Sequence, residues 1–148
     1  MGIARSLDIS ASGLSVERVR MDVIANNLAN INTTRVDGVP HNPYRRKHVI
    51  IEAEDSGTFA SVLGRVGAGS PGGVRVAAIE PDTTDFKRVK DPGNPDADAD
   101  GWVLMPNVEP VMEMVDLITA QRAYDANVTA LNAAKTMQSR ALQIGSSQ

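Results

Sequence analysis

Every one of the chain's eight prolines lies between Pro40 and Pro110, along with eight of its twelve glycines. Proline removes a backbone donor and glycine costs a helix about 1 kcal/mol relative to alanine, so long helices are confined to the two ends of the chain. This layout predicts a mainly α protein with a small β-rich insert. Long N- and C-terminal helices pair as a coiled-coil-like bundle, and a middle segment of short strands and turns lies between them. The expected division is 1–33 for the N-terminal helix of a helical domain, 34–106 for the β/turn-rich insert, and 107–148 for the C-terminal helix of the same helical domain. Apolar surface that such a pair leaves uncovered calls for another chain.

Composition narrows the field further. Five aromatic residues among 148 favour thin helix seams over a thick globular core, and splitting so short a chain leaves neither part a large core. A net charge of −3 argues against nucleic acid as a partner. Without cysteine there is no disulfide or thiol chemistry. No stretch approaches the ~18 apolar residues of a membrane span. Arg5, Asp8, Ser10 and Ser12 interrupt any secretory signal core, so if the chain is exported, it is expected to be exported without a cleaved signal peptide. Gly2 with Ser6 fits a myristoylation pattern too short to carry weight.

The first helix carries a countable stripe. Ile3, Leu7, Leu14, Met21, Ile24, Leu28 and Ile31 fall on alternating steps of three and four residues, with Ser10 and Glu17 filling the gaps. Gly13 is the expected weak point of this helix. The C-terminal segment offers Asn107 as an N-cap, Pro110 in the first turn and Gly145 as a stop. One of its stripes is small (Ala120, Ala123, Asn127, Ala130, Ala134, Met137, Ala141, Ile144) and the other bulkier (Leu117, Tyr124, Val128, Leu131, Leu142), so two neighbours are needed. In the insert, strands are predicted at Val49–Ile51, Val74–Val76, Phe86–Lys90 and Trp102–Met105, with a loop over Gly64–Gly73.

Few residues point to chemistry. His41 and His48 lack further ligands for zinc and read as surface residues. Gly67-Ala68-Gly69-Ser70-Pro71-Gly72 spells a dinucleotide pattern but opens no helix, and no nucleophile elbow occurs, so an enzyme is not expected and no cofactor is implied. Asp96-Ala97-Asp98-Ala99-Asp100-Gly101 reproduces half of a calcium loop, which raises the alternative of a calcium-binding secreted adhesin-like protein. The twelfth loop position is Asn107 where a bidentate Glu is needed, and Pro92 and Pro95 prevent an entering helix, so an acidic hairpin approach is favoured. Its carboxylates are expected to pair with Arg45, Arg46 or Lys47, here or on another subunit.

Two motifs carry a resemblance. Ala25-Asn26-Asn27-Leu28-Ala29-Asn30 followed by Asn32-Thr33, and Glu113-Met114 with Gln121-Arg122-Ala123-Tyr124-Asp125-Ala126-Asn127, resemble the terminal motifs of the bacterial flagellar rod and hook axial protein family. Thr33-Thr34-Arg35, Pro43-Tyr44-Arg45-Arg46-Lys47, Phe86-Lys87-Arg88-Val89 and the run Asp91 to Gly101 are similar to a proximal-rod subunit within it. The chain departs from that pattern at Val36–Asn42 and in the 64–73 loop.

The resemblance implies a structural subunit of the basal-body rod, which crosses the periplasm as a drive shaft around an export channel. It further implies partners among copies of itself, other rod proteins and the flagellar type III export apparatus, with terminal helices inside and the insert outside. The candidate subunit-interface residues are Leu14, Met21, Ile24, Leu28 and Ile31 on the first stripe, then Asn26, Asn27, Asn30, Asn32 and Thr33 in the asparagine motif. Tyr44, Arg45 and Arg46 in the insert join them, as do Met114, Arg122, Tyr124, Asn127, Ala130, Leu131 and Ala134 on the last helix. The asparagine amides are expected to bridge neighbouring helices or cap the turn into Thr33. Arg122 is expected to pair with a carboxylate such as Asp125 or one on another subunit.

Overall fold

A computed structural model describes residues 2–39, 41–54 and 72–146. Along the chain lie α1 (Gly2–Ala29), β1 (Lys47–Ala53), β2 (Val74–Pro81), β3 (Lys87–Lys90), β4 (Trp102–Met105) and α2 (Pro110–Ser146). The strands form two separate two-stranded sheets, β1 with β2 and β3 with β4. Each of the four strand expectations falls on one of these elements. The loop expected over 64–73 lies outside the described residues up to Pro71.

Both helix ends differ from expectation, for reasons visible in the side chains. α1 stops at Ala29, leaving Ile31 in a turn. There Asn30 donates its amide to the Asn26 carbonyl at 2.9 Å, and its own carbonyl accepts the Thr33 N–H at 3.1 Å. The Asn26 carbonyl thus accepts both the Asn30 N–H, at 3.2 Å, and the Asn30 side chain, which reinforces the last helical turn as the chain turns away. At α2 the first helical bond runs from the Glu113 N–H to the Glu109 carbonyl, so Glu109 holds the cap position and Pro110 the first helical one, where its missing N–H costs nothing. Asn107 is therefore not the N-cap, because its side chain is used elsewhere. The C-terminal end runs through Gly145 to Ser146.

Among the described residues, those within 1–19, 50–78 and 120–148 form one compact unit. In it α1 passes unbroken through Gly13, where a side chain would press to 3.0 Å on the Asn127 amide, so this glycine marks a close approach to α2. Ser12 donates to the Ile9 carbonyl and accepts the Val74 N–H at 3.0 Å, fastening the start of β2 to α1. A side chain at Gly73 would collide with Ser12. Val16, Ala120 and Ala134 are buried, whereas Ala130, Met137, Ala141, Leu142 and Ile144 are exposed. The small stripe is therefore covered at only some of its positions.

Residues within 20–49 and 79–119 form the second unit. Its hairpin pairs Lys87 with Met105, Arg88 with Leu104, Val89 with Val103 and Lys90 with Trp102, antiparallel. Alternation turns Val103 inward, where it is buried with Ile24, Tyr44 and Val108. Gly101 closes the long connection at φ 78°, a left-handed value that a side chain would strain.

Replacing Ala134, which is 4% exposed, by Phe should lower stability by about 1–3 kcal/mol through overpacking, read as a drop in Tm by circular dichroism.

Candidate functional site

The most concentrated polar chemistry lies in the second unit, around Asn27 and Glu113, both wholly buried at 0% exposure. Asn27 sits in the last turns of α1 and uses its whole amide. Its nitrogen donates to the Lys47 carbonyl at 2.8 Å and to Glu113 Oε2 at 3.1 Å. Its oxygen accepts the Lys47 N–H at 2.9 Å and the Tyr44 hydroxyl at 3.0 Å. An amide has two donors and two acceptor sites, so all four are filled. By gripping both the N–H and the C=O of Lys47, the side chain acts as a strand partner for the first residue of β1.

Glu113 receives its counter-charge from Arg46, whose Nε donates to Oε1 at 2.5 Å. The same guanidinium reaches Asp82 at 3.5 Å and Asp116 at 3.4 Å, so it links α2 to the end of β2. Burial opposes the positive charge of Arg46, but the hydrogen bonds and charges of Glu113 and then Asp82 together outweigh it and push its pKa up. Burial, then the negative charge of Glu113, push the Tyr44 hydroxyl up, keeping it a donor. Asn107 finishes the junction by accepting the Arg46 N–H at 2.8 Å and donating to Thr84 Oγ1 at 2.8 Å. Arg45 lies over Phe86 at 4.1 Å and donates to the Asp82 and Thr84 carbonyls.

Asp96 anchors a second corner. Its carboxylate accepts the Thr34 hydroxyl at 2.7 Å and pairs with Arg35, and these two contacts hold its pKa below the ordinary value. Asp98 accepts the N–H groups of Asp100 and Trp102 at 3.0 and 2.8 Å. The expectation that these acids meet Arg45, Arg46 or Lys47 within the chain is therefore corrected: Arg35 was the missed partner of Asp96, and Glu113 that of Arg46. The first two loop carboxylates are aimed at different groups, and among the described residues no cluster of three His, Cys, Asp or Glu could hold a metal ion.

The asparagine motif does in one chain the two jobs expected of such amides: Asn27 bridges α1 to α2, and Asn30 caps the turn, with its Oδ1 accepting the Thr33 hydroxyl at 3.1 Å. Asn32 is exposed. Arg122 is exposed and forms no ion pair with Asp125 among the described residues; Asp125 instead offers its backbone carbonyl to Thr129. Tyr124, Asn127 and Leu131 are half-buried, as are Leu14, Met21, Leu28 and Ile31, while Ile24 is buried.

A feature that the sequence stripes overlooked lies on the opposite side of α2 from Glu113. Val111, Met114, Val115 and Ile118 follow the spacing i, i+3, i+4, i+7 of one helix face, and each is at least half exposed. Met112 beside them is also exposed. The first two turns of α2 thus carry a polar inner face and an apolar outer one. The spacing is present in the sequence, where Met114 alone of these four is among the expected interface residues, and the small-residue rhythm begins only at Ala120.

Two family models match this chain. Residues 7–35 match the one described as flagella basal body rod protein, and residues 99–144 match the flagellar basal body rod FlgEFG protein C-terminal. The flagellar basal-body rod protein FlgC of Bacillus subtilis is 50% identical over 145 residues, covering 95% of this chain and 96% of its own. Proteins of the same name from Borreliella burgdorferi and Salmonella typhimurium are 41% and 38% identical, covering 97% and 98% of this chain and 98% and 99% of theirs.

Two outcomes test the junction. Asn27→Leu leaves the Lys47 N–H and carbonyl and one Glu113 oxygen without this partner and should cost about 2–4 kcal/mol in urea unfolding, against ~1 kcal/mol for Tyr44→Phe. Asp82, held down first by the Thr84 N–H and then by the Thr84 side chain and Arg46, and Asp96, held down by Thr34 and Arg35, both lie below the ordinary 3.8. A depressed carboxyl contributes stability that is present above its unfolded value and lost as pH falls through its folded one. The urea midpoint should therefore fall as pH drops below about 4, less steeply in Asp96→Asn.

Proposed function

This chain belongs to the FlgC family of flagellar basal-body rod proteins and is a structural subunit of the rod, and from that premise we propose that it works by helical assembly through surfaces its own fold leaves apolar. The single observation that carries the reading is the exposed face of α2, Val111, Met114, Val115 and Ile118, on a helix whose inner face is already satisfied by Glu113 and Arg46. Contiguous apolar surface on a soluble chain marks an interaction site, and here its helical spacing suits another helix.

In this reading the terminal helices, 1–33 and 107–148, form the inner helical part and 34–106 the outer insert. Copies of the chain and other rod proteins cover the exposed stripes, and the helices pair in coiled-coil fashion around an export channel. Leu14, Met21, Leu28, Asn32, Met114, Arg122, Tyr124, Ala130 and Leu131 retain exposed or half-exposed surface for that purpose. Arg122 in particular has its guanidinium to offer to a carboxylate of a neighbouring subunit. Asn27, Tyr44 and Arg46, whose polar groups are committed within the chain, support the assembly by holding α1, β1 and α2 in register. The chain is exported by the type III apparatus without a cleaved signal, its helices order fully on assembly, and the finished rod transmits torque across the periplasm.

The test separates assembly from folding. Ala130 and Ile118 are exposed, so Ala130→Phe and Ile118→Glu should each leave the melting of the isolated chain within about 0.5 kcal/mol of the parent. Export should persist, while basal bodies isolated from these strains lack rods beyond this subunit and swimming stops. Normal swimming in both would show that neither face is covered in the rod.

A further inference from the structure

One surface of the second unit is used by none of these roles. Alternation along the β3–β4 hairpin puts Arg88 and Lys90 on the same face as their cross-strand partners Leu104 and Trp102. Trp102 is the chain's single tryptophan and is 36% exposed, although an indole is among the costliest groups to leave in water. The Arg88 guanidinium lies 5.4 Å and the Lys90 ammonium 5.9 Å from its ring centre. Beside the ring opens a shallow pocket of about 350 Å³ lined by His41, Arg88, Asp98, Trp102 and Leu104. His41, which lines this pocket, is held at φ 60°, a left-handed value uncommon outside glycine.

We propose that this pocket binds an oligosaccharide bearing carboxylates. The lining joins a flat aromatic surface to groups that donate (Arg88, His41) and one that accepts (Asp98), with a single aliphatic side chain, Leu104. A sugar ring has the complementary pattern: an apolar C–H face for the indole, and hydroxyls that donate to Asp98 and accept from His41. Asp98 is kept in place for this by the backbone N–H groups of Asp100 and Trp102. Arg88, 61% exposed and 3.6 Å from Asp98, with Lys90 at the ring, supplies the charge for a carboxylate on the adjoining sugar. An apolar peptide anchor would need an enclosed greasy pocket, and a nucleic acid would need a continuous positive field, which Asp98 and a net charge of −3 deny it.

Because Trp102 is the only tryptophan, its fluorescence reports the site directly in the full-length chain. Titration with a hyaluronan hexasaccharide, which alternates N-acetylglucosamine and glucuronate, should change that fluorescence saturably with a Kd below about 1 mM. Arg88→Gln, a change at an exposed side chain checked for folding by circular dichroism, should weaken binding about tenfold by removing a charge-assisted contact. Neutral chitohexaose should bind about tenfold more weakly than the acidic sugar, for the same reason. Absence of a saturable response to the hexasaccharide, or an unaltered one in Arg88→Gln, overturns the assignment. So does equal binding of chitohexaose, which would make the charge irrelevant, or of hexaglutamate, which would make this a site for acidic peptides.

Discussion

A carboxylate with no access to water governs the second unit. Burying an ion costs several kcal/mol unless partners replace its hydration, and among the described residues Glu113 gets them from Arg46 and Asn27. Arg46 lies just before β1 and Asn27 near the end of α1, so the bond geometry is met only when both helices and the start of the first sheet stand in one register. Arg46 remains 26% exposed, which lets its charge reach solvent while Glu113 stays dry. A misplaced helix would strand the carboxylate, and the network therefore acts as a specificity device as well as a bond.

The same arrangement divides the labour of α2. Its inner face over the first turns is given to Glu113, which faces Asn27 and Arg46, and farther on to Ala120 and Ala134. With so few aromatics and so many alanines, the apolar burial within one chain is thin, and stability leans on satisfied polar groups. What remains outside on α2, Val111 to Ile118 and then Ala130, Met137 and Ile144, is surface that a rod can cover. Within one chain the polar seam at Glu113 sets the register of α1, β1 and α2, and the apolar surface is left on the outside of α2.

Much of this was legible in the order of residues. The confinement of proline and glycine located both helices, while the alternation of Val74–Val76 and the short runs Val49–Ile51, Phe86–Lys90 and Trp102–Met105, set off by breakers, located the strands, because steric limits on backbone dihedrals act locally. Asn30 as a turn cap was legible for the same reason, its partners being three and four residues away. Asn107 shows the limit. By local rules it is an N-cap, but Arg46, 61 residues earlier, offers its N–H and captures the side chain. The acidic loop was misassigned in the same way, since Arg35 lies 61 residues from Asp96 and no periodicity connects them.

By itself, then, the sequence determined what each stretch of backbone can be and which motifs ally the chain with flagellar rod proteins, both being matters of local sterics and of residue order. Only the tertiary structure decided which charges meet. Pairing in space depends on how strands and helices bring distant segments within three ångströms, and the sequence holds several arginines and several carboxylates with no local rule to match them. The choice of Glu113 over the loop aspartates for Arg46, and the exposure of Trp102 between Arg88 and Lys90, are outcomes of that packing.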